Sequence, residues 1–196
     1  MIQTIGKNVV DFLLHLYFQL TCYFRGHYII INITKQAIYL YSSNKLERTY
    51  AISSGKNGSG EIDESGKTPR GWLNIDEYIG DQAHKDTYFI SREAKGQYHK
   101  DMMNAPKDVI MTRILWLDGL QLCNDNTKKR YIYCHATNEV DNLGSSPQSH
   151  GCIRLHPTDI VELFSLCKKN QPLLYCIDHK NLLPWQTLST FGQETE

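Results

Sequence analysis

The chain has 196 residues, with 21 Lys plus Arg against 21 Asp plus Glu, so its formal net charge is zero. That balance removes the excess positive charge on which nonspecific nucleic-acid binding rests. An apolar content of 41% and a charged content of 21% fit one ordinary globular domain with a sizeable core, and no apolar run reaches the ~20 residues of a membrane-spanning helix.

In chain order, residues 9–20 are an apolar stretch from Val9 to Leu20, interrupted by Asp11 and His15. A signal peptide has a cleaner apolar core and a small-residue cleavage site, so this reads as a packed amphipathic helix, with no export signal evident. From Tyr28 the pattern turns to β: Tyr28–Ile33 and Gln36–Tyr41 flank a short Thr34-Lys35 turn, and Leu46–Ile52 makes a third strand. Ser53–Pro69 is polar and glycine-rich and is predicted to be a long loop, a length that usually signals function. Further strands are predicted at Trp72–Ile75, Tyr88–Ile90, Val109–Leu117, Tyr131–His135, Cys152–Leu155 and Leu173–Ile177. One clear helix begins near Pro157. Pro suits its first turn, Asp159 its positive end, and Ile160, Val161, Leu163, Phe164 and Cys167 supply the apolar face. The pattern divides the chain into an apolar N-terminal segment (1–26), a main domain (27–178) and an irregular tail (179–196). Many short strands with one clear helix predict a mainly β domain, a sandwich.

Two tempting motifs fail on mechanical grounds. Gly66-Lys67-Thr68 invites a phosphate-loop reading, but the position that must be glycine is Glu61, and Pro69 opposes a helix at Thr68. Cys134, His135, His150 and Cys152 lack the paired spacing of structural zinc, and residues 134 and 135 on a strand point to opposite faces. No metal and no cofactor is therefore expected. The six cysteines show no disulfide rhythm, and they read as mostly buried or isolated thiols. That usage leans toward a reducing compartment.

Cys152 stands apart. It lies in Ser149-His150-Gly151-Cys152-Ile153-Arg154, with His135 placed 17 residues upstream at the end of an apolar alternating run. A thiolate is a strong nucleophile that needs a nearby base or cation at neutral pH. Gly151 and the Ser-His before it suit a tight, exposed turn. Two neighbouring strands joined by a loop can bring imidazole and thiol together.

His135, 13 intervening residues and then Ser-His-Gly-Cys-Ile-Arg resemble the signature of the L,D-transpeptidase family (the YkuD-type catalytic domain). Lys67-Thr68-Pro69-Arg70-Gly71 resembles the family's upstream Thr-Pro-x-Gly segment, and Ile114–Gly119 and Asp159–Phe164 are also similar. The likeness covers roughly residues 28–177. The chain departs from the family at Ala136, where Gly is usual, and at Arg154, where Asn is frequent.

The resemblance implies an L,D-transpeptidase-type β-sandwich with one or two short helices and a long loop near the active site. It implies a cysteine acyltransferase acting on peptidoglycan stem peptides in the cell envelope, and that substrate outweighs the cysteine usage as a guide to location. Cys152 would be the nucleophile and His135 the base, the Ala136 carbonyl would orient the His135 ring, and backbone N–H groups at Gly151 and Cys152 would meet the oxyanion. His150 would support the loop or the thiolate. Arg154, with Ser149, would bind substrate, the guanidinium taking a carboxylate. A monomer is expected. Hydrolysis by the same site, as an L,D-carboxypeptidase or stem-peptide amidase, is the alternative, and a wall-binding module without turnover is a third reading.

Overall fold

The computed structural model describes residues 2–99, 101 and 108–178, and the tail expected at 179–196 lies outside them. Helix α1 (Ile2–Arg25) precedes β1 (Tyr28–Asn32), β2 (Ala37–Ser42), β3 (Lys45–Ser53), β4 (Gly71–Ile79), β5 (Thr87–Ile90), β6 (Glu93–Gln97), β7 (Ile110–Gly119), β8 (Tyr133–Ala136) and β9 (Ile153–Leu155); helix α2 (Pro157–Asn170) and β10 (Leu173–Ile177) follow. The strands hydrogen-bond in the order β4-β10-β1-β2-β3-β9-β8-β7-β5-β6. β4 also pairs with β7, so the sheet from β4 round to β7 closes on itself. The fold is mainly β, as expected, with its strands in one barrel-like closed sheet.

One core fills this closed sheet. Ile29 and Ile31 of β1 meet Ile38, Ile52, Leu115, Cys134 and Ile153 from five other strands. The period-2 rule explains which residues point there. It also explains why β1 is apolar throughout: all five of its residues are buried. Ile29 and Ile31 enter the central core, whereas Tyr28 and Ile30 join a second cluster with Trp72 and with Phe18 and Cys22 of α1. The strand is thus covered on both faces. α1 is further tied to β4, where the Trp72 indole N–H donates to His15 Nδ1 at 3.0 Å. It stops at Gly26, whose φ of +69° and N–H bond to the Cys22 carbonyl form a left-handed helix end.

α2 is the helix expected from its sequence. Pro157 occupies its first turn, the His156 ring accepts from the Thr158 N–H, and Ile160, Leu163, Phe164 and Cys167 are buried in the central core. The structure differs from the sequence reading in several places, and β9 begins at Ile153 with Cys152 just outside it. β4 runs on to Ile79 because it pairs with β7 along its length past a bulge between Ile75 and Glu77. β6 was not foreseen, because all five of its residues are exposed and carry no alternation. Tyr131 and Ile132 stand outside β8: Tyr131 has a φ of +56° and closes a turn through its N–H bond to Lys128. All six cysteines are free thiols.

Ile31 is fully buried at the centre of this arrangement. Ile31→Ala is expected to lower unfolding stability by about 2–4 kcal/mol, the range for an isoleucine truncated in a core that cannot collapse around the gap. Chemical denaturation measures it, and a loss below about 1 kcal/mol would show that the core refills.

Candidate active site

β8 and β9 are parallel neighbours, with Cys134 opposite Ile153 and His135 opposite Arg154. Cys134, Ala136, Ile153 and Leu155 belong to the central core. Alternation therefore turns Tyr133, His135, Cys152 and Arg154 to the other face. There Cys152 packs against the cluster of Phe89, Ile114 and Tyr133. Thiol and imidazole thus share one face of adjacent strands.

Cys152 leaves a turn that only glycine allows. Gly151 has a φ of +119°, and a Cβ there would stand 3.0 Å from both the Lys67 carbonyl oxygen and Ile132 Cδ1. Side chains pin this turn. The Gly151 N–H donates to Ser149 Oγ at 3.1 Å, and that hydroxyl donates to the Cys152 carbonyl at 2.5 Å. The Thr68 hydroxyl donates to the Gly151 carbonyl at 2.9 Å and accepts from the Gly55 N–H at 2.9 Å. The long loop is held against the turn by these bonds, by the pairing of Gly55 with Ser149, and by Arg130, which donates to the Gly60 and Lys67 carbonyls.

His135 is buried, and its Nδ1 lies 2.8 Å from the Ala136 carbonyl oxygen. A carbonyl only accepts, so Nδ1 carries the proton and Nε2 of the neutral ring is the basic atom. Burial holds the pKa of His135 below the usual histidine value, against the opposing effect of the Ala136 bond and of Asp108. Cys152 is only partly exposed as a residue, and its sulfur lies in dense surroundings. Burial pushes its thiol up to about 11, partly offset by a backbone contact at Tyr133 and by Arg154. Its Sγ is 3.4 Å from the Tyr131 carbonyl oxygen. Both shifts favour uncharged forms. Burial thus works against a thiolate–imidazolium pair.

The remaining sequence candidates occupy different settings. Ser149 is buried, with its hydroxyl spent on the turn. His150 is exposed and lines a cavity of about 440 Å³ together with Asp63, Glu64, Arg130 and Tyr131. Arg154 was expected to take a substrate carboxylate, but its side chain is only 3% exposed and already bridges Asp108 and Glu139. A substrate carboxylate would have to displace one of them. The Gly151 N–H, expected to meet an oxyanion, is taken by Ser149. Sequence reasoning missed Thr68 as the turn's anchor, Tyr131, and Arg92, whose NH1 donates to the Tyr133 hydroxyl at 3.0 Å. The only signal for Thr68 was its place in the Thr-Pro segment. Among the described residues no group of three or more His, Cys, Asp or Glu could hold a metal ion.

The L,D-transpeptidase catalytic domain profile matches residues 26–174, more than half of the chain. The chain belongs to the L,D-transpeptidase catalytic-domain family. No curated protein matches it. Among solved structures, Bdellovibrio bacteriovorus Bd1075 is similar at 16% identity and a TM-score of 0.50, over 86% of this chain and 56% of that one. An L,D-transpeptidase from Mycobacterium smegmatis aligns at 13% identity and a TM-score of 0.47, over 78% of this chain and 58% of that one. The catalytic domain of the Enterococcus faecium L,D-transpeptidase, acylated by ertapenem, aligns at 16% and 0.46, over 78% of this chain and 97% of that one. This transpeptidase-family chain therefore spans less than two thirds of the M. smegmatis and B. bacteriovorus chains.

A thiol raised to about 11 has a directional consequence. Alkylation of Cys152 by iodoacetamide, followed by peptide mapping, is expected to accelerate about tenfold per pH unit between pH 7 and 9, because reactivity tracks the thiolate fraction. A rate independent of pH across that window would mean a preformed thiolate and contradict the neutral pair.

Proposed function

We propose that the chain is a cysteine-dependent L,D-transpeptidase of the cell envelope, with residues 27–178 carrying catalysis on peptidoglycan stem peptides. The observation that carries this reading is the shared face of β8 and β9. There Cys152 leaves a glycine-only turn beside a buried His135 whose Nδ1 is fixed on the Ala136 carbonyl.

In this reading the Cys152 sulfur attacks the carbonyl carbon of the third stem residue while its proton passes to His135 Nε2. The oxyanion forms beside the Cys152 backbone N–H, which has no protein partner among the described residues, while the Gly151 N–H stays on Ser149. The intermediate collapses, the amide C–N bond breaks, and the amine of the terminal D-amino acid leaves with the proton from His135. The acyl group is then a thioester on Cys152. An acceptor amine gives a proton to His135 and attacks the thioester, forming the new amide and returning the thiol. Because thiol and imidazole start neutral, the proton moves during attack and not before it. Arg154 acts indirectly, tying Asp108 and Glu139 to the strand that follows Cys152.

Cys152→Ala is expected to abolish turnover and leave the fold intact. Cys134→Ser should cost far less activity, since Cys134 faces the core. His135→Ala should slow acylation by about 10²-fold or more, the scale of a lost general base. His150→Ala should do less. Mass spectrometry of muropeptide products, with and without an acceptor amine, reads these outcomes. Cross-linked product supports transfer, a shortened stem alone means water is the acceptor, and an unchanged donor with wild-type protein would overturn the reading.

A further inference from the structure

The guanidinium assigned to a substrate carboxylate by the sequence, that of Arg154, is buried and paired. Three other cations near this face are engaged. Lys128 pairs with Asp76 and Glu77, Arg130 is bonded to loop carbonyls, and Arg113 donates to the carbonyls of Ala83 and Thr112. Arg92 makes no salt bridge among the described residues, is only partly buried, and has one hydrogen bond, to the Tyr133 hydroxyl.

Arg92 reaches the site from the tip of the β5–β6 hairpin. Ile90 pairs with Glu93, so the connecting turn is the two residues Ser91 and Arg92, with φ of +49° and +70°. Such primed turns normally use Asn or Gly at these positions, so two ordinary side chains here hold a disfavoured backbone. The side chain runs back over the sheet. Its guanidinium carbon lies 4.4 Å from the Trp116 ring centre and 5.3 Å from that of Tyr131, and Trp116 and Tyr131 stack on one another. NH1 donates to the Tyr133 hydroxyl.

Two of these three contacts adjoin Cys152. Tyr133 belongs to the cluster against which both Cys152 and Trp116 pack, and the Tyr131 carbonyl meets the Cys152 thiol. Aromatic rings hold a guanidinium by its faces and leave the N–H fork in its plane open. Only NH1 is used, so the fork retains donors for a planar, bidentate anion.

We propose that Arg92 is the carboxylate receptor of this active site, binding the free α-carboxylate of the terminal residue that the reaction expels. The proposal rests on the transpeptidase reading above and adds the group that selects donors with an uncapped C-terminus. Tyr133 and the Trp116–Tyr131 pair are positioning residues that aim the fork.

The test compares a tetrapeptide stem donor ending in a free carboxylate with the same donor ending in a carboxamide. Binding is measured by calorimetry in full-chain Cys152→Ala protein, and kcat/KM in the intact-thiol protein. The carboxylate donor is expected to be favoured about tenfold or more in both, the scale of one charge-assisted bidentate contact. Arg92→Met, which keeps bulk and removes the charge, should erase the preference while leaving carboxamide binding within about threefold. Arg92→Lys should restore part of it. A preference retained in Arg92→Met, equal loss of both donors, or no preference in the parent would overturn the proposal. Preferential binding through Arg92 without turnover would uphold the receptor and overturn the transpeptidase reading instead.

Discussion

The site depends on one turn. Gly151 takes a backbone conformation that a side chain would strain, in a space where a Cβ would press on the Lys67 carbonyl. Two hydroxyls hold that turn from opposite sides. Ser149 links the Gly151 N–H to the Cys152 carbonyl, and Thr68 joins the Gly151 carbonyl to the Gly55 N–H of the long loop. Three of these four bonds are buried, where an unpaired donor or acceptor costs about 1–3 kcal/mol, so the loop, the turn and the start of β9 form one unit. This gives Cys152 a fixed departure angle and commits Ser149 to structure.

The second constraint is electrostatic. Dense surroundings raise the thiol and lower the imidazole, while Asp108 and Arg154 act on both groups in opposing senses. A charged pair would have to be built in a poorly solvated place. In the proposed reaction a neutral pair would avoid that cost at rest and meet it only as charge develops on the substrate, where oriented donors act best. Arg154, buried beside His135 and bridged by two carboxylates, lends this region charge balance.

Much of this was legible in the sequence because it is local. Period-2 alternation located nearly every strand, the Pro157–Asp159 start located α2, and Gly151 signalled the turn. Placing Cys134 and His135 on opposite faces needed only the strand period. What was not legible comes from contacts between distant segments. Arg154 finds Asp108 46 residues away, and Arg92 finds Tyr133 41 residues away. No local pattern records that a guanidinium will be neutralised by one partner or held on rings by another. Tyr131 was read as strand because it continues an apolar run; its left-handed turn follows from the Lys128 carbonyl that accepts its N–H. The exposed β6 carries no alternation, since solvent selects no face.

In the proposed reaction Cys152 is the one acylated group. The most direct measurement is intact-mass analysis of the chain after exposure to a carbapenem, an acyl-donor mimic that the family resemblance makes a suitable reagent, followed by peptide mapping. One adduct per chain is expected, located on Cys152 and formed more slowly in His135→Ala. The buried thiols Cys22, Cys134, Cys167 and Cys176 and the exposed Cys123 should remain unmodified. No adduct, or adducts spread over several cysteines, would contradict it.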